Sequence, residues 1–214
     1  MSTINIKEII EKEIHEDDIK TRSQFMDSFK GEVSAFIDGL TDAFYKWEEY
    51  DSKIDTDIRK AYVSAFLYNA IDSLTLSMKL FLSGYIIPSG NLLRYTLESL
   101  CLAILCSDKS LPYYEKIEQN KFSANAALNC VLKNAEKLNI IKESIETLKG
   151  IYEYNHNYSH ATLLSLYHIF SKRGEQYFGP SFDKGKMVIY KKETETRVNL
   201  AKVFSNIIEG ILHG

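Results

Sequence analysis

The densest group of side chains that could do chemistry lies on one short segment, residues 153–160, with the sequence EYNHNYSH. At about 100° of rotation per helical residue, Glu153, His156 and His160 fall within a single face. The His156-x3-His160 spacing suits two metal ligands on a helix, and Glu153-x-x-His156 matches half of a di-iron carboxylate motif. A di-iron bundle needs a second Glu-x-x-His, and the chain has no other. Metal binding by these three residues is therefore kept as an alternative.

The second kind of chemistry is acid–base catalysis on a phosphodiester. An imidazole with a pKa of ~6.5 can accept and donate a proton near neutral pH. The developing negative charge needs a cation, and Arg94 is the candidate because a guanidinium binds phosphate through paired hydrogen bonds. Arg94 also lies four residues before Glu98, so the two can form an ion pair that is only structural. Both interpretations stay open on the sequence.

Helices are predicted to position these residues. The 214-residue chain has only 3 prolines and 10 glycines, and its apolar residues recur at helical spacing. About seven helices are predicted: 3–15 after a Ser2/Thr3 cap, one from Asp17-Asp18 to about 51, 57–83, 89–106, 110–138, 141–170 with a break near 156–159, and a last helix capped by Thr194. The sequence IIPSGN is predicted to turn the chain before the fourth helix. Short links between the helices favour an all-α, up-and-down bundle.

Residues 171–192 interrupt this pattern with three glycines and one proline. Within them, QYF and MVIY are candidate short strands, which predicts a loop or small hairpin excursion.

Charge divides the chain into two regions. Residues 1–57 carry 7 basic and 15 acidic side chains, whereas residues 58–202 carry 19 basic and 13 acidic ones. We expect acidic N-terminal helices over 1–57, forming an arm or part of the bundle, and a helical-bundle domain over 58–214. The acidic region and the basic body can attract each other, within one chain or between two.

Several function classes lack their motifs in this chain. It has no GxGxxG, no Walker lysine loop, no HExxH and no G-x-S-x-G, which disfavours dinucleotide redox chemistry, nucleotide triphosphate hydrolysis and the common hydrolases. The three cysteines, Cys101, Cys106 and Cys130, form no CxxC pair. The N-terminus lacks a basic region before an apolar run, and polar residues interrupt the apolar stretch 61–87. We expect a cytoplasmic protein with no membrane span and no cofactor.

The order of motifs resembles the bacterial HEPN-like helical-bundle proteins. An apolar helix contains LLRYTLE, an LLR-x-x-x-E pattern, and after a connecting helix comes NYSHATLLSLYHIF, which begins with a Y-S-H motif. A glycine-containing segment and a closing amphipathic helix follow. The resemblance covers about residues 58–212.

The resemblance implies a function. Catalytic HEPN proteins are metal-independent ribonucleases, frequently toxins of toxin–antitoxin or phage-defence systems, and they act as dimers. Their signature is an arginine followed after four to six residues by a histidine. His160 matches the histidine, whereas Asn155 stands where the arginine is expected, and Arg94 is the candidate for the missing cation. The implied site consists of His160 as general base or acid, Arg94 with Glu98, and Asn155, Tyr158 and Ser159 as orienting groups.

The implied partners are an RNA substrate, a second copy of the chain and a protein such as an antitoxin. A rival hypothesis is a non-catalytic homodimeric interaction module. In it the acidic N-terminal helices bind a partner, and Arg94, Glu98 and His160 form a structural polar cluster.

Overall fold

The computed structural model of the protein describes residues 6–15, 17–171, 174 and 176–213. The Ser2/Thr3 cap predicted for the first helix lies outside these residues. The described residues form an all-α bundle, as predicted, with ten α-helices rather than about seven. The α-helices are α1 (Ile6–His15), α2 (Ile19–Ser28), α3 (Lys30–Asp51), α4 (Ile58–Leu82), α5 (Ile86–Ser107), α6 (Tyr113–Glu118), α7 (Ala127–Lys133), α8 (Lys142–His156), α9 (Leu163–Ile169) and α10 (Met187–His213), with 3₁₀ turns at Ala124–Ala126, Asn157–Ser159 and Lys184–Lys186.

Helices α4 and α5 form the central antiparallel hairpin. The Asp57 side chain caps α4 by accepting a hydrogen bond from the Lys60 N–H. The hairpin turns at Gly84, whose φ of +85° is a conformation that favours glycine. The predicted turn IIPSGN is instead helical, because Pro88 falls in the first turn of α5, where a missing N–H costs no helical hydrogen bond.

Helix α10 packs beside α3, and the two run parallel. The Lys46 ammonium contacts the Glu209 carboxylate at 2.5 Å, and one turn earlier Ser205 donates a hydrogen bond to Asp42. Both pairs are separated by 163 residues, so the two helices keep one register. The absence of a side chain at Gly39 lets α10 approach closely, since a Cβ there would lie 3.2 Å from the Lys202 nitrogen.

The second helix belongs to the same core as the late helices. Phe25 of α2 is fully buried, and its ring packs against those of Phe81, Phe182 and Tyr190. The acidic residues of 19–51 therefore lie on helices that are part of the bundle.

Several predicted boundaries were wrong. The final helix begins at Met187 rather than at Thr194, so MVIY is helical, and Thr194 lies inside α10 with its hydroxyl bonded to the Tyr190 carbonyl. The predicted hairpin is reduced, among the described residues, to a single antiparallel bridge between Phe170 and Gln176. The predicted fifth helix is broken near Asn120, whose φ is +54°.

In the part of the chain that the structure describes, none of the helices combines the length and apolar character required to cross a bilayer.

Candidate functional site

Arg94 and Ser159, 65 residues apart in the chain, meet at the surface of the bundle. The Arg94 Nη1 donates a hydrogen bond of 3.0 Å to the Ser159 hydroxyl, and this hydroxyl donates one of 2.9 Å to the Asn91 side-chain oxygen. Arg94 and Asn91 project from α5, whereas Ser159 ends the 3₁₀ turn that follows α8. His160 is the next residue and is exposed to solvent. The structure thus brings two of the sequence-predicted site residues, Arg94 and Ser159, into contact.

Glu98 and Tyr152 hold the other side of the Arg94 guanidinium. The Arg94 Nε lies 3.1 Å from a Glu98 carboxylate oxygen and 3.2 Å from the Tyr152 hydroxyl, and that hydroxyl donates to the same carboxylate at 2.8 Å. The guanidinium carbon also lies 5.2 Å from the centre of the Tyr152 ring, within cation–π distance. The Arg94 and Glu98 side chains keep 21% and 12% of their surface exposed. The Nη2 atom of Arg94 has no hydrogen-bond partner among the described residues, so an anion can bind at this nitrogen.

The electrostatics of this cluster keep its groups in fixed protonation states. Partial burial lowers the pKa of Arg94, but the Tyr152 hydrogen bond and the Glu98 charge outweigh it, and the pKa is raised overall. Burial, together with the hydrogen bond to Glu98, raises the pKa of the Tyr152 phenol. At neutral pH the cluster therefore contains a cation and a protonated phenol, both oriented by one carboxylate.

The two histidines do not share a helical face with Glu153 in the predicted way. Helix α8 ends at His156, and His160 follows the 3₁₀ turn with an extended backbone. The two imidazole rings still pack edge to face, with centroids 4.6 Å apart. The Glu153 carboxylate lies 3.8 Å from the Lys149 ammonium. Within the described ranges no three His, Cys, Asp or Glu side chains converge as metal ligands would.

Tyr158 and Asn155 lie beneath this surface rather than on it. They retain 2% and 1% of their surface, so neither side chain is accessible to a molecule bound at this surface. The Asn155 amide donates to the Ile151 carbonyl within its own helix. Both residues face inward because they lie on the core side of the same segment that exposes Ser159 and His160.

A buried polar network anchors Tyr158 from below. Its hydroxyl donates a hydrogen bond of 2.9 Å to Glu193, and the other Glu193 oxygen pairs with Arg197 Nη1 at 2.8 Å. Arg197 also donates to the hydroxyls of Ser77 and Ser89, which join α4 to α5. Every charged group in this network is at least 98% buried and is neutralised by a partner.

Two further contacts determine where Tyr158 sits. Its ring packs directly on Gly90, where a Cβ would lie only 2.2 Å from a ring carbon. The His168 Nε2 lies 3.2 Å from the Tyr158 hydroxyl. Since the single phenolic proton is donated to Glu193, Nε2 must carry the hydrogen of a neutral imidazole. Burial and the nearby Lys186 charge lower the pKa of His168 to about 4, which keeps the ring neutral.

Sequence reasoning missed Glu193, Arg197, Ser89 and Asn91. A signal for the first two exists: Tyr190, Glu193, Arg197 and Ala201 follow one helical face that continues into the apolar stripe of α10. Because the last helix was predicted to begin at Thr194, Tyr190 and Glu193 were left outside it and this face was not recognised. No local pattern indicates that Asn91 lies near Ser159.

No family model, curated protein or solved structure matches the chain.

Proposed function

We propose that the protein is a HEPN-like, metal-independent endoribonuclease whose site consists of Arg94, Ser159 and His160. The observation that carries the proposal is the hydrogen bond from Arg94 to Ser159, because it joins the only arginine of α5 to the residue before the exposed His160. Phosphodiester cleavage requires a cation and a proton-transfer group at one accessible surface, and this hydrogen bond supports assigning those roles to Arg94 and His160.

In the proposed reaction the 2′-hydroxyl of a ribose attacks the adjacent phosphorus. His160 accepts the hydroxyl proton as the new P–O2′ bond forms, and the P–O5′ bond breaks. The leaving oxygen takes up a proton from the solvent, so that the products are a 2′,3′-cyclic phosphate and a 5′-hydroxyl. The free edge of Arg94 binds the phosphate oxygens, on which negative charge increases in the transition state.

Glu98 and Tyr152 act as positioning residues in this mechanism. Their hydrogen bonds hold Arg94 Nε inward, which turns the opposite edge of the guanidinium toward solvent. The Glu98 charge offsets part of the attraction of Arg94 for phosphate. Removing this charge with Glu98→Gln is therefore expected to strengthen RNA binding while loosening the orientation of Arg94.

The experiment compares cleavage of a fluorescent single-stranded RNA and of total RNA, in excess EDTA, by the wild-type chain and by His160→Ala, Arg94→Ala and Arg94→Lys. His15→Ala is the matched control, since His15 is an exposed histidine on α1. We expect His160→Ala and Arg94→Ala to lower the rate at least about 100-fold, within the usual range for a lost acid–base group. Arg94→Lys should retain intermediate activity, and His15→Ala should match the wild type.

The chemical groups at the ends of the RNA fragments provide an independent readout. A 2′,3′-cyclic phosphate on the upstream fragment supports the mechanism, whereas a 5′-phosphate on the downstream fragment contradicts it. We extend the proposal to a toxin–antitoxin or phage-defence role, for which induced expression should arrest bacterial growth with the wild type and not with His160→Ala. Equal RNA degradation by the wild type, His160→Ala and Arg94→Ala would show that the cluster is not catalytic.

A further inference from the structure

Helix α9 turns an apolar face toward solvent. Leu163, Leu166 and Tyr167 fall within an arc of about 100° on this helix. All three are exposed, and Leu163 retains 87% of its surface. The opposite side of α9 already faces the protein, where Ser165 is buried. An amphipathic helix normally buries its apolar side, whereas Leu163 and Leu166 of this face are left in contact with solvent.

Exposed apolar residues continue from α9 into the following segment. The bridge between Phe170 and Gln176 brings the exposed Phe178 next to the end of the helix. The Lys186 ammonium lies 5.0 Å from the centre of the Tyr167 ring, and Lys186 keeps only 2% of its surface, so it lies beneath this part of α9. We call this surface the α9 patch; it consists of Leu163, Leu166, Tyr167, Phe170 and Phe178.

Helix α1 carries a second exposed apolar surface. Ile6, Ile10 and Ile14 recur every four residues and therefore form one stripe along the helix. They retain 69%, 42% and 70% of their surface. We call these three residues the α1 stripe.

The two surfaces lie on segments of opposite charge. Residues 6–18, which carry the α1 stripe, contain six acidic and two basic side chains. Residues 163–192, which carry the α9 patch, contain six basic and two acidic side chains. The two segments are therefore complementary in charge as well as in apolar character.

A contact between the segments makes them neighbours on one chain. The Glu13 carboxylate lies against Gly179, so close that a Cβ at this glycine would be 2.1 Å from a carboxylate oxygen. Gly179 directly follows Phe178 of the α9 patch. The acidic segment and the basic segment therefore meet at Gly179, and each carries exposed apolar residues. This arrangement suits a two-fold symmetric interface, in which each segment contacts the other segment of an identical partner.

We propose that the α1 stripe and the α9 patch together form a homodimer interface, in which α1 of each chain docks on the α9 patch of the other. The contact is made twice across the two-fold axis, which doubles the apolar area removed from water. Opposite charges around the apolar residues set the register of the two chains and make association sensitive to salt.

Light scattering coupled to size exclusion, applied to the full chain over a range of concentrations, tests this interface. Leu163→Ser removes an apolar side chain that is almost fully exposed in the single chain, so folding should be unaffected. The matched control is Ile58→Ser, since Ile58 is 63% exposed and lies about 35 Å along α4 from the Gly84 turn that contacts Pro180. We expect a dimeric wild type and control, and a dimer dissociation constant raised at least tenfold by Leu163→Ser.

Charge reversal provides a stricter test that loss of folding cannot imitate. One variant carries Glu8→Lys, Glu11→Lys and Asp17→Lys, which changes the net charge of residues 6–18 from −4 to +2. The other carries Lys184→Glu, Lys191→Glu and Lys192→Glu, which changes the net charge of residues 163–192 from +4 to −2. Each alone should be monomeric because its two halves repel those of an identical partner. An equimolar mixture should form a mixed dimer, since each reversed half then meets a half of opposite charge.

Three outcomes would overturn the proposal. The first is a monomeric wild type at every concentration. The second is a mixture of the two charge variants that stays monomeric while the wild type dimerises. The third is a monomeric wild type that sediments with vesicles containing phosphatidylserine, which would assign the α9 patch to a lipid surface.

Discussion

Substitution of Arg197 by methionine should strongly destabilise the protein. Arg197 has no exposed surface, and its partner Glu193 keeps only 2%. The substitution preserves most of the side-chain volume but leaves the Glu193 carboxylate buried without its cation, although the Tyr158 hydroxyl still donates to it. Breaking a buried ion pair on one side costs about 3–5 kcal/mol, since the remaining charge stays desolvated. For a chain of this size the melting temperature should fall by about 6–20 °C.

Urea unfolding followed by circular dichroism measures this loss, and an exposed pair on the same helix is the control. Lys191 and Glu195 are also four residues apart, but their groups lie 3.8 Å apart and are more than half exposed. Lys191→Met should therefore change the free energy of unfolding by less than about 1 kcal/mol. The two substitutions remove the same kind of i, i+4 pair and differ in burial.

A second substitution tests the assigned cause. Adding Glu193→Gln to Arg197→Met removes the uncompensated charge while an amide oxygen remains to accept the Tyr158 proton. The double variant should be more stable than Arg197→Met alone, by about 2 kcal/mol. The reasoning is refuted if Arg197→Met costs no more than Lys191→Met, or if Glu193→Gln destabilises it further.

Two further predictions concern the residues around Tyr158. Gly90→Ala should lower the free energy of unfolding by about 1–3 kcal/mol, because the added methyl group collides with the Tyr158 ring. Gly150→Ala, whose added methyl group meets no atom within 4 Å, should be neutral or stabilising, and equal thermal melts of the two variants would contradict this. His168, with a pKa of about 4 in the folded state against ~6.5 unfolded, binds its proton more readily in the unfolded chain, so stability is complete above about pH 6.5 and falls by about 3 kcal/mol toward pH 4. Urea titrations at several pH values should show that the free energy of unfolding depends less on pH in His168→Gln than in the wild type. An equal pH dependence in the two proteins would refute the assignment of this effect to His168.

Local sequence patterns predict the local features of the site. The Arg94–Glu98 pair follows from i, i+4 spacing, and the structure contains it. The Asp57 cap follows from the chemistry of helix starts. The sequence predicted a break near His156, but it did not predict where the break would place His160. The 3₁₀ turn rotates His160 away from the helical face that it would share with Glu153.

Non-local features depend on packing that no spacing encodes. Arg94 meets Ser159 because α8 packs against α5, and Tyr158 reaches Glu193 because Gly90 leaves room for its ring. The glycines before Met187 favoured a loop there, so the sequence did not predict that α10 begins at Met187. This start adds the first two turns of α10, and Glu193 and Arg197 lie on the buried face of the helix.

The amino-acid sequence by itself determined that this chain is helical, since few helix breakers and a 3.6-residue apolar period act over short distances. It also determined the acidic and basic segments, because charge is a property of composition. Only the tertiary structure decided which polar residues are exposed and which are buried. That choice separates Ser159 and His160 from Tyr158, their neighbour in sequence, because burial depends on helices that come together from distant parts of the chain.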